Sequence, residues 1–166
     1  KFYYYKEPIK IKNNCKLFYA GFKYNQQITK LFTLAFSFHK ALNKKIVLLY
    51  PYNEKYRAEG ENSLINGNFG TVEWKNGLGW QGFEGNNLEA IIDLGKKEEF
   101  SKISINCLQD VSSWIFFPIS IDFYVSNDKE NFIKIGTVKN DYPQKSGLVT
   151  IKTFSINFAK KSYRYI

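Results

Sequence analysis

The sequence predicts an all-β protein built as an antiparallel β-sandwich. Aromatic residues make up 18% of the 166 residues, and such side chains favour the half-buried surface of a pleated sheet. Apolar and polar residues alternate in several short segments, which are separated by turn-forming residues at intervals of ~8–12 residues. No segment of useful length shows the helical period of 3.6 residues.

The first 44 residues have the pattern of a short sheet. Ile9 and Ile11 alternate with lysines, residues 16–24 have a strand pattern with a bulge at Gly21, and residues 31–38 alternate clearly. Three strands in about 40 residues are too few for an independent sandwich. We therefore expect residues 1–44 to be the tail of a larger β-module whose front half is missing. We also expect its apolar face to be covered and its junction near residues 42–46 to be rigid. That face comprises Phe32, Leu34, Phe36 and Phe38.

Residues 45–166 have the pattern of a second and larger sandwich. Strands are predicted at 46–50, 88–95, 100–108, 115–126, 132–135, 148–158 and 163–166. The stretch 51–87 is rich in Gly, Asn and Glu, so we expect loops and short strands there. A turn is predicted at 126–131, where polar residues separate two apolar strands.

The formal net charge of +9 raises the question of nucleic-acid binding. All but two of the 24 basic residues are lysines, whereas recognition of phosphate and guanine prefers arginine, so we expect no nucleic-acid partner. No apolar run approaches the ~18 residues of a membrane helix, which predicts no transmembrane segment. Since the chain contains no methionine and no signal peptide, we expect it to be a piece of a longer protein.

The sequence shows none of the motifs that usually supply catalytic residues. The sequence has no GxSxG or HExxH motif and no acidic pair of the catalytic kind, so we expect no enzymatic activity in this chain. Cys15 and Cys107 lack the spacing of a zinc or redox site. Either Cys107 is a buried free thiol or the two cysteines form a disulfide. The single histidine, His39, is expected at the surface.

Two loop-rich stretches, 74–84 and 106–117, combine aromatic rings with short polar side chains. A sugar is recognised by an aromatic ring on its apolar face and by polar groups on its hydroxyls. For each aromatic residue the alternative is packing in the core, which we favour for Trp80. The candidate carbohydrate-binding residues are Trp74, Phe83, Gln109, Asp110 and Trp114.

The order of several motifs resembles the discoidin domain, also called the coagulation-factor type C or galactose-binding-like domain. The motifs are Ser63–Gly67, Trp80, Glu89–Gly95, Val125–Phe132 and Ser162–Ile166. Other segments are similar to the C-terminal region of chitobiase-like β-N-acetylhexosaminidases of Bacteroidetes-type bacteria. They are Lys55–Tyr56, Trp80–Phe83, Leu108–Asp110, Trp114–Pro118 and, in the first module, Tyr5–Ile11. The resemblance implies a discoidin-like jelly roll at residues 45–166, preceded at residues 1–44 by the C-terminal half of a small chitobiase-type β-sandwich module.

The same resemblance implies a function. The chain would be a non-catalytic, carbohydrate-binding accessory module that lies downstream of a glycosidase catalytic domain. It would bind N-acetylglucosamine- or galactose-type glycans in the periplasm, at the outer surface or outside the cell. No cofactor would be required, although a structural calcium loop is implied at Leu64, Asn66 and Thr71. Two alternatives stay open, namely a structural spacer without a ligand and a surface that binds polyanions or anionic lipids.

Overall fold

The computed structural model describes residues 3–144 and 147–166, and it confirms the all-β prediction. Strands account for 44% of the chain and helix for 7%, and the strand pairings are antiparallel. The strands are β1 (Cys15–Tyr19), β2 (Phe22–Lys23), β3 (Gln26–Gln27), β4 (Phe32–Phe36), β5 (Lys45–Leu48), β6 (Ala90–Gln109), β7 (Ser120–Val125), β8 (Ile133–Lys139) and β9 (Thr150–Tyr165). Single 3₁₀ turns lie at Glu54–Tyr56, Ser63–Ile65, Trp74–Asn76 and Val111–Ser113.

The larger unit is a sandwich of two antiparallel sheets. One sheet has the strand order β5–β6–β9, and the other consists of β7 and β8. Leu94, Phe100 and Val125 form the core between them. The layers approach closely at Gly136, where an added Cβ would lie 2.6 Å from Cδ1 of Ile156. A side chain at position 136 would therefore require the Ile156 side chain to move.

Strands β6 and β9 are longer than the sequence pattern predicts. The two strands expected at 88–95 and 100–108 form one strand, β6, which is interrupted by a bulge between Asp93 and Glu98. Gly95 lies in this bulge with φ 84°, a conformation that glycine adopts readily. The segments expected at 148–158 and 163–166 likewise merge into β9. The predicted breaks are bulges because continuous pairing between β6 and β9 carries the chain across them.

The first module is a two-stranded ribbon. β1 pairs with β4, and the ribbon continues into the short hairpin β2–β3. Tyr24 and Asn25 form the hairpin turn with φ of 49° and 65°, the pair of positive values typical of a type I′ turn. The strand expected around Ile9 and Ile11 is absent, since residues 3–14 are irregular in the structure.

The apolar face of this ribbon is only partly buried. Phe32 and Phe36 are half-buried, but Leu34 and Phe38 are 45% and 41% exposed. Tyr19 stacks on Phe32 with their ring centroids 5.1 Å apart, so the ribbon covers part of its own face. The expectation of a fully covered face is therefore wrong, because two strands supply too little surface to bury four large side chains.

The junction between the ribbon and the sandwich is packed. The backbone N–H of Asn43 donates to the carbonyl of Ile65 at 2.9 Å, and Ala41 packs against the core. Leu42 lies so close to Gly67 that a Cβ there would be 2.7 Å from the leucine Cδ1. These contacts hold residues 41–43 against the sandwich.

Asp93 and Arg164 join the two long strands, β6 and β9, through a bidentate salt bridge. The Arg164 Nε–H and Nη2–H groups donate to Oδ1 and Oδ2 of Asp93 at 2.8 and 2.9 Å. The hydrogen bond from Arg164 lowers the pKa of Asp93 from 3.8 to about 2. The carboxylate is therefore ionised in the folded protein well below the pH at which a free aspartate becomes protonated.

Because the junction is packed, we expect trypsin to cleave slowly after Lys44 and Lys45. Lys10 and Lys12 lie in the irregular segment 3–14 and serve as internal controls that should be cleaved early. A time course followed by mass spectrometry measures both rates. Early release of a fragment beginning near residue 46 would contradict the packed junction.

Replacing Asp93 with Asn should lower the melting temperature at pH 7 by about 3 °C, since one partly exposed ion bridge is lost. The lowered pKa of Asp93 means that its contribution is complete above pH ~4 and is lost as the pH falls toward 2. The difference in melting temperature between wild type and Asp93→Asn should therefore shrink between pH 4 and 2. Calorimetry or circular dichroism across this range measures it.

The matched control is Glu99→Gln, which removes the exposed ion pair of Glu99 with Lys160. Both partners are more than half exposed, so we expect a change below about 1 °C. A difference between wild type and Asp93→Asn that stays constant from pH 7 to 2 would show that the bridge is not the source of the effect.

Candidate functional site

Loops from distant parts of the sequence meet beside the C-terminal end of β6. The indole N–H of Trp74 donates to Oδ2 of Asp110 at 3.1 Å, which joins the 3₁₀ turn Trp74–Asn76 to the loop after β6. The side-chain amide of Gln109 donates to the carbonyl of Pro143 at 3.1 Å, so the loop after β8 joins the same group. These bonds bring together three loops, at residues 72–75, 109–117 and 140–149, of which the structure describes all but 145–146. We call them the loop cluster.

The loop at 110–115 holds Trp114 out of the protein. Asp110 and Ile115 exchange two backbone hydrogen bonds of 3.0 Å, which close the loop at its base. Trp114 ends the 3₁₀ turn Val111–Ser113 in the left-handed conformation with φ 61°, which is rare for a bulky residue. Its side chain is 84% exposed, with its ring edge-to-face with Phe116 at 6.3 Å. A large apolar ring thus stands in solvent on a residue whose backbone conformation is uncommon for its type.

Asp110 connects Trp74 to the loop that carries Trp114. The residue is only 8% exposed, and its Oδ2 accepts from the Ser113 hydroxyl at 2.8 Å as well as from Trp74. The bond from Ser113, followed by that from Trp74, lowers the pKa of Asp110 even though burial acts to raise it. The carboxylate is therefore an ionised anchor that orients the Trp74 ring and the loop carrying Trp114.

A cavity of about 340 Å³ opens where these loops meet. Such a volume lies at the small end of the range for small-molecule sites, ~300–1,000 Å³. The ammonium of Lys75 lies 5.8 Å from the Trp74 ring centre, and Glu73 forms an ion pair with Lys30 of the ribbon at 2.9 Å. The lining is therefore an aromatic wall with charged groups at the rim. It consists of Val72, Glu73, Trp74, Lys75, Asp110 and Val149.

Three of the five predicted carbohydrate-binding residues come together. Trp74 and Asp110 line the cavity, and Trp114 projects from the adjoining loop. Gln109 requires a correction, because it is fully buried and its amide donates to Pro143. It sits where the β6–β9 pairing ends opposite Thr150, so it shapes the loops from within instead of facing a ligand.

Phe83 lies in a different group of loops. Its neighbour Gly82 exchanges backbone hydrogen bonds with Asn53 and Tyr56, and Phe83 itself is half-buried. An added Cβ at Gly82 would lie 2.7 Å from Tyr56 Cβ, which shows how tightly these two loops pack. Phe83 is therefore not part of the lining around Trp74.

Sequence reasoning missed Val72, Glu73, Lys75 and Val149 as lining residues. Lys75 carried a usable signal, since it directly follows Trp74 within a polar stretch. Val72 and Val149 carried none, because a single valine in a loop has no pattern and the approach of the loops is set by the fold.

Trp80 packs against a neighbouring loop and not in the core, where we expected it. It is half-buried, and its indole N–H donates to the carbonyl of Thr71 at 2.8 Å. An added Cβ at Gly70 would lie 2.1 Å from Nε1 of this indole. The ring therefore lies directly on the backbone of residue 70 and fixes the chain before Trp74.

The residues of the implied calcium loop do not fit such a site as they are arranged. Asn66 Oδ1 accepts from the N–H of Asn68 at 2.8 Å, and Thr71 Oγ1 accepts from the N–H of Glu73 at 3.2 Å. Leu64 lies in the 3₁₀ turn Ser63–Ile65. The nearby carboxylate of Glu59 accepts from Gly79 N–H and from the Asn66 amide. Calcium needs six to eight oxygens, and here the side-chain oxygens are used within the loop.

Other possible sites of chemistry are limited in the described part of the chain. Within residues 3–144 and 147–166, no three His, Cys, Asp or Glu side chains are grouped to hold a metal ion. Both cysteines are free, and burial raises the pKa of Cys107 to about 11, which keeps its thiol protonated at neutral pH. His39 is exposed, as expected. No helix among the described residues is long and apolar enough to cross a membrane.

Comparison of the sequence with protein-family models and with curated proteins finds no match. The functional argument therefore depends on the residues and geometry of the loop cluster.

Calcium should leave the stability of the protein unchanged, because Asn66 and Thr71 already use their side-chain oxygens within the loop. We expect the melting temperature in 5 mM CaCl₂ and in 5 mM EDTA to agree within about 1 °C. A reversible rise of several degrees with calcium, lost in Asn66→Ala, would contradict this prediction and place a calcium ion in this loop.

Proposed function

We propose that this chain is a non-catalytic carbohydrate-binding module. The observation that carries the proposal is Trp114, a tryptophan 84% exposed and held by an uncommon backbone conformation at the end of a closed loop. Uncommon backbone conformations persist where the surroundings enforce them, and they cluster at binding sites. A solvent-facing aromatic ring is the element on which the apolar face of a sugar stacks.

The neighbouring cavity supplies the polar part of recognition. Lys75 stands at the rim, where its ammonium would donate to sugar hydroxyls. The Glu73 carboxylate at the same rim accepts from Lys30 through both oxygens. Asp110 acts as the positioning residue for Trp74 and for the Trp114 loop, since its Oδ2 is already bonded to both. An open site of this size buries little area, so we expect dissociation constants of roughly 0.1–10 mM.

The class of sugar and the parent protein are proposed from the resemblance of the sequence motifs. The chain would bind N-acetylglucosamine- or galactose-type glycans as an accessory module of a β-N-acetylhexosaminidase. Its partner would be a catalytic domain upstream in the same chain, in a periplasmic, outer-surface or secreted enzyme. The packed junction at Asn43 and Ile65 supports this role, since it holds the sandwich in one orientation relative to the ribbon.

A structural spacer that docks on another domain is the second candidate. One specific observation favours it, namely three large apolar side chains that stay exposed in the segments after Trp114 and after β8. Phe116 is 42% exposed, Leu148 75% and Ile119 87%. Such a group also suits a protein–protein contact, and large exposed apolar patches mark interaction surfaces.

Titration with N-acetylglucosamine and with galactose, followed by NMR, separates the two candidates. If the proposal holds, chemical-shift changes will centre on Trp114, Trp74 and Lys75, and Trp114→Ala will weaken binding at least about tenfold. The loss follows because alanine removes the ring on which the sugar stacks.

Ile133→Ala is the matched control, because Ile133 is 59% exposed and pairs with Val125 at the end of β7 farthest along the chain from the Trp114 loop. It should bind the sugar within about twofold of the wild type. Shift changes scattered over the surface, or none up to ~50 mM sugar, would reject the binding module and leave the spacer as the better proposal.

A further inference from the structure

The positive charge of this protein is concentrated in the ribbon module. Residues 1–44 hold nine of the 24 basic residues but only one of the 15 acidic residues, Glu7. They therefore carry +8 of the formal net charge of +9, and residues 45–166 carry +1. Ordinary solvated charge would be spread over both units, so this segregation needs a reason of its own.

Five of these lysines lie along the ribbon and have no acidic partner among the residues that the structure describes. The ion pairs found among the described residues use other cations, including Lys30 and Lys40 at the boundary with the sandwich. All five side chains are exposed. We call them the basic strip: Lys6, Lys10, Lys12, Lys16 and Lys23.

The irregular segment 3–14 is tied along the length of the ribbon. At one end the Tyr4 hydroxyl donates to Oδ1 of Asn25 in the hairpin turn at 2.9 Å. At the other end the N–H of Phe38, beyond β4, donates to Oδ1 of Asn14 at 2.6 Å. Lys6, Lys10 and Lys12 lie between these two ties, so they follow the ribbon that carries Lys16 and Lys23.

Aromatic rings and amides accompany these charges. Tyr5 is 74% exposed and Tyr24 90%, and the ammonium of Lys23 lies 5.5 Å from the Tyr24 ring centre. Asn13 and Gln26 are exposed amides on the same module. The surface therefore offers cations, flat apolar rings and hydrogen-bonding groups over an elongated shape.

We propose that the basic strip binds an acidic polysaccharide, one that carries carboxylate or sulfate groups along its length. Separate ammonium charges suit separate carboxylate or sulfate groups, while the rings and amides suit sugar faces and hydroxyls. Nucleic acid is the poorer fit, because residues 1–44 contain no arginine for bidentate phosphate contacts. This surface is distinct from the Trp114 site and does not depend on the function proposed there.

The test uses the whole chain and four substitutions in the strip, Lys6→Gln, Lys10→Gln, Lys12→Gln and Lys16→Gln. Glutamine keeps much of the side-chain length and removes the charge. The probe is polygalacturonate, with neutral dextran as the uncharged comparison, measured by affinity electrophoresis or calorimetry at 50 mM NaCl. We expect the wild type to bind polygalacturonate and not dextran, and the quadruple variant to bind at least about tenfold more weakly.

The control variant removes the same charge from exposed lysines of the sandwich. It carries Lys97→Gln, Lys102→Gln, Lys139→Gln and Lys161→Gln. Binding within about threefold of the wild type supports the strip, whereas an equal loss in both variants shows an effect of net charge and overturns it. Circular dichroism melting of both variants confirms that each is folded.

Two further measurements compare other polyanions and other salt concentrations. Dextran sulfate should bind with a similar dependence on the strip, and affinity should fall steeply between ~50 and ~500 mM NaCl. Tighter binding to poly(dT), or to vesicles of phosphatidylserine and phosphatidylcholine, would overturn the assignment to polysaccharide. Trp114→Ala should leave polygalacturonate binding within about twofold, and its N-acetylglucosamine titration tests the Trp114 site separately.

Discussion

The long antiparallel pairing of β6 with β9 is the contact on which the rest of this structure depends. It runs from Asp93 opposite Tyr165 to Gln109 opposite Thr150 and places Phe154, fully buried, beside Ile105. Burying one phenylalanine contributes ~1.5–3 kcal/mol, and this strand pair contributes several core side chains. Asp93 and Arg164 fasten one end, although they are 71 positions apart in the chain. Since such distant pairings must close a long loop before they stabilise anything, folding should be slow for a domain of this size.

The loop cluster depends on where this pairing ends. β6 stops at Gln109, which is buried, and the next residue, Asp110, turns the chain into the loop that carries Trp114. Trp74 arrives from the long connection between β5 and β6 and bonds to Asp110. The rigid sheet thus sets the position of Asp110, and Asp110 sets the positions of the two tryptophans. A site built in this way is ordered before any ligand arrives, which reduces the entropy that binding must overcome.

Much of the fold could be predicted because its signals are local. Alternation identified the strands containing Phe32, Ile105 and Phe123, and turn residues marked 126–131, where Asp128 accepts from the N–H groups of Glu130 and Asn131. The failures were also physical. Ile9 and Ile11 alternate like a strand but have no partner strand, and the breaks expected in β6 and β9 proved to be bulges. The site was harder, because Gln109 and Asp110 are adjacent polar residues and only the fold decides which of them is buried more deeply and to what it bonds.

One of the three tryptophans is far more exposed to solvent than the other two, so their fluorescence can be told apart. The indole nitrogens of Trp74 and Trp80 both donate to protein oxygens, whereas the Trp114 ring stands 84% in solvent. A collisional quencher such as iodide reaches the Trp114 ring far more readily than the other two. The quenchable part of the intrinsic fluorescence is therefore largely the emission of one residue. Without any label, the protein reports the state of the loop at 110–115.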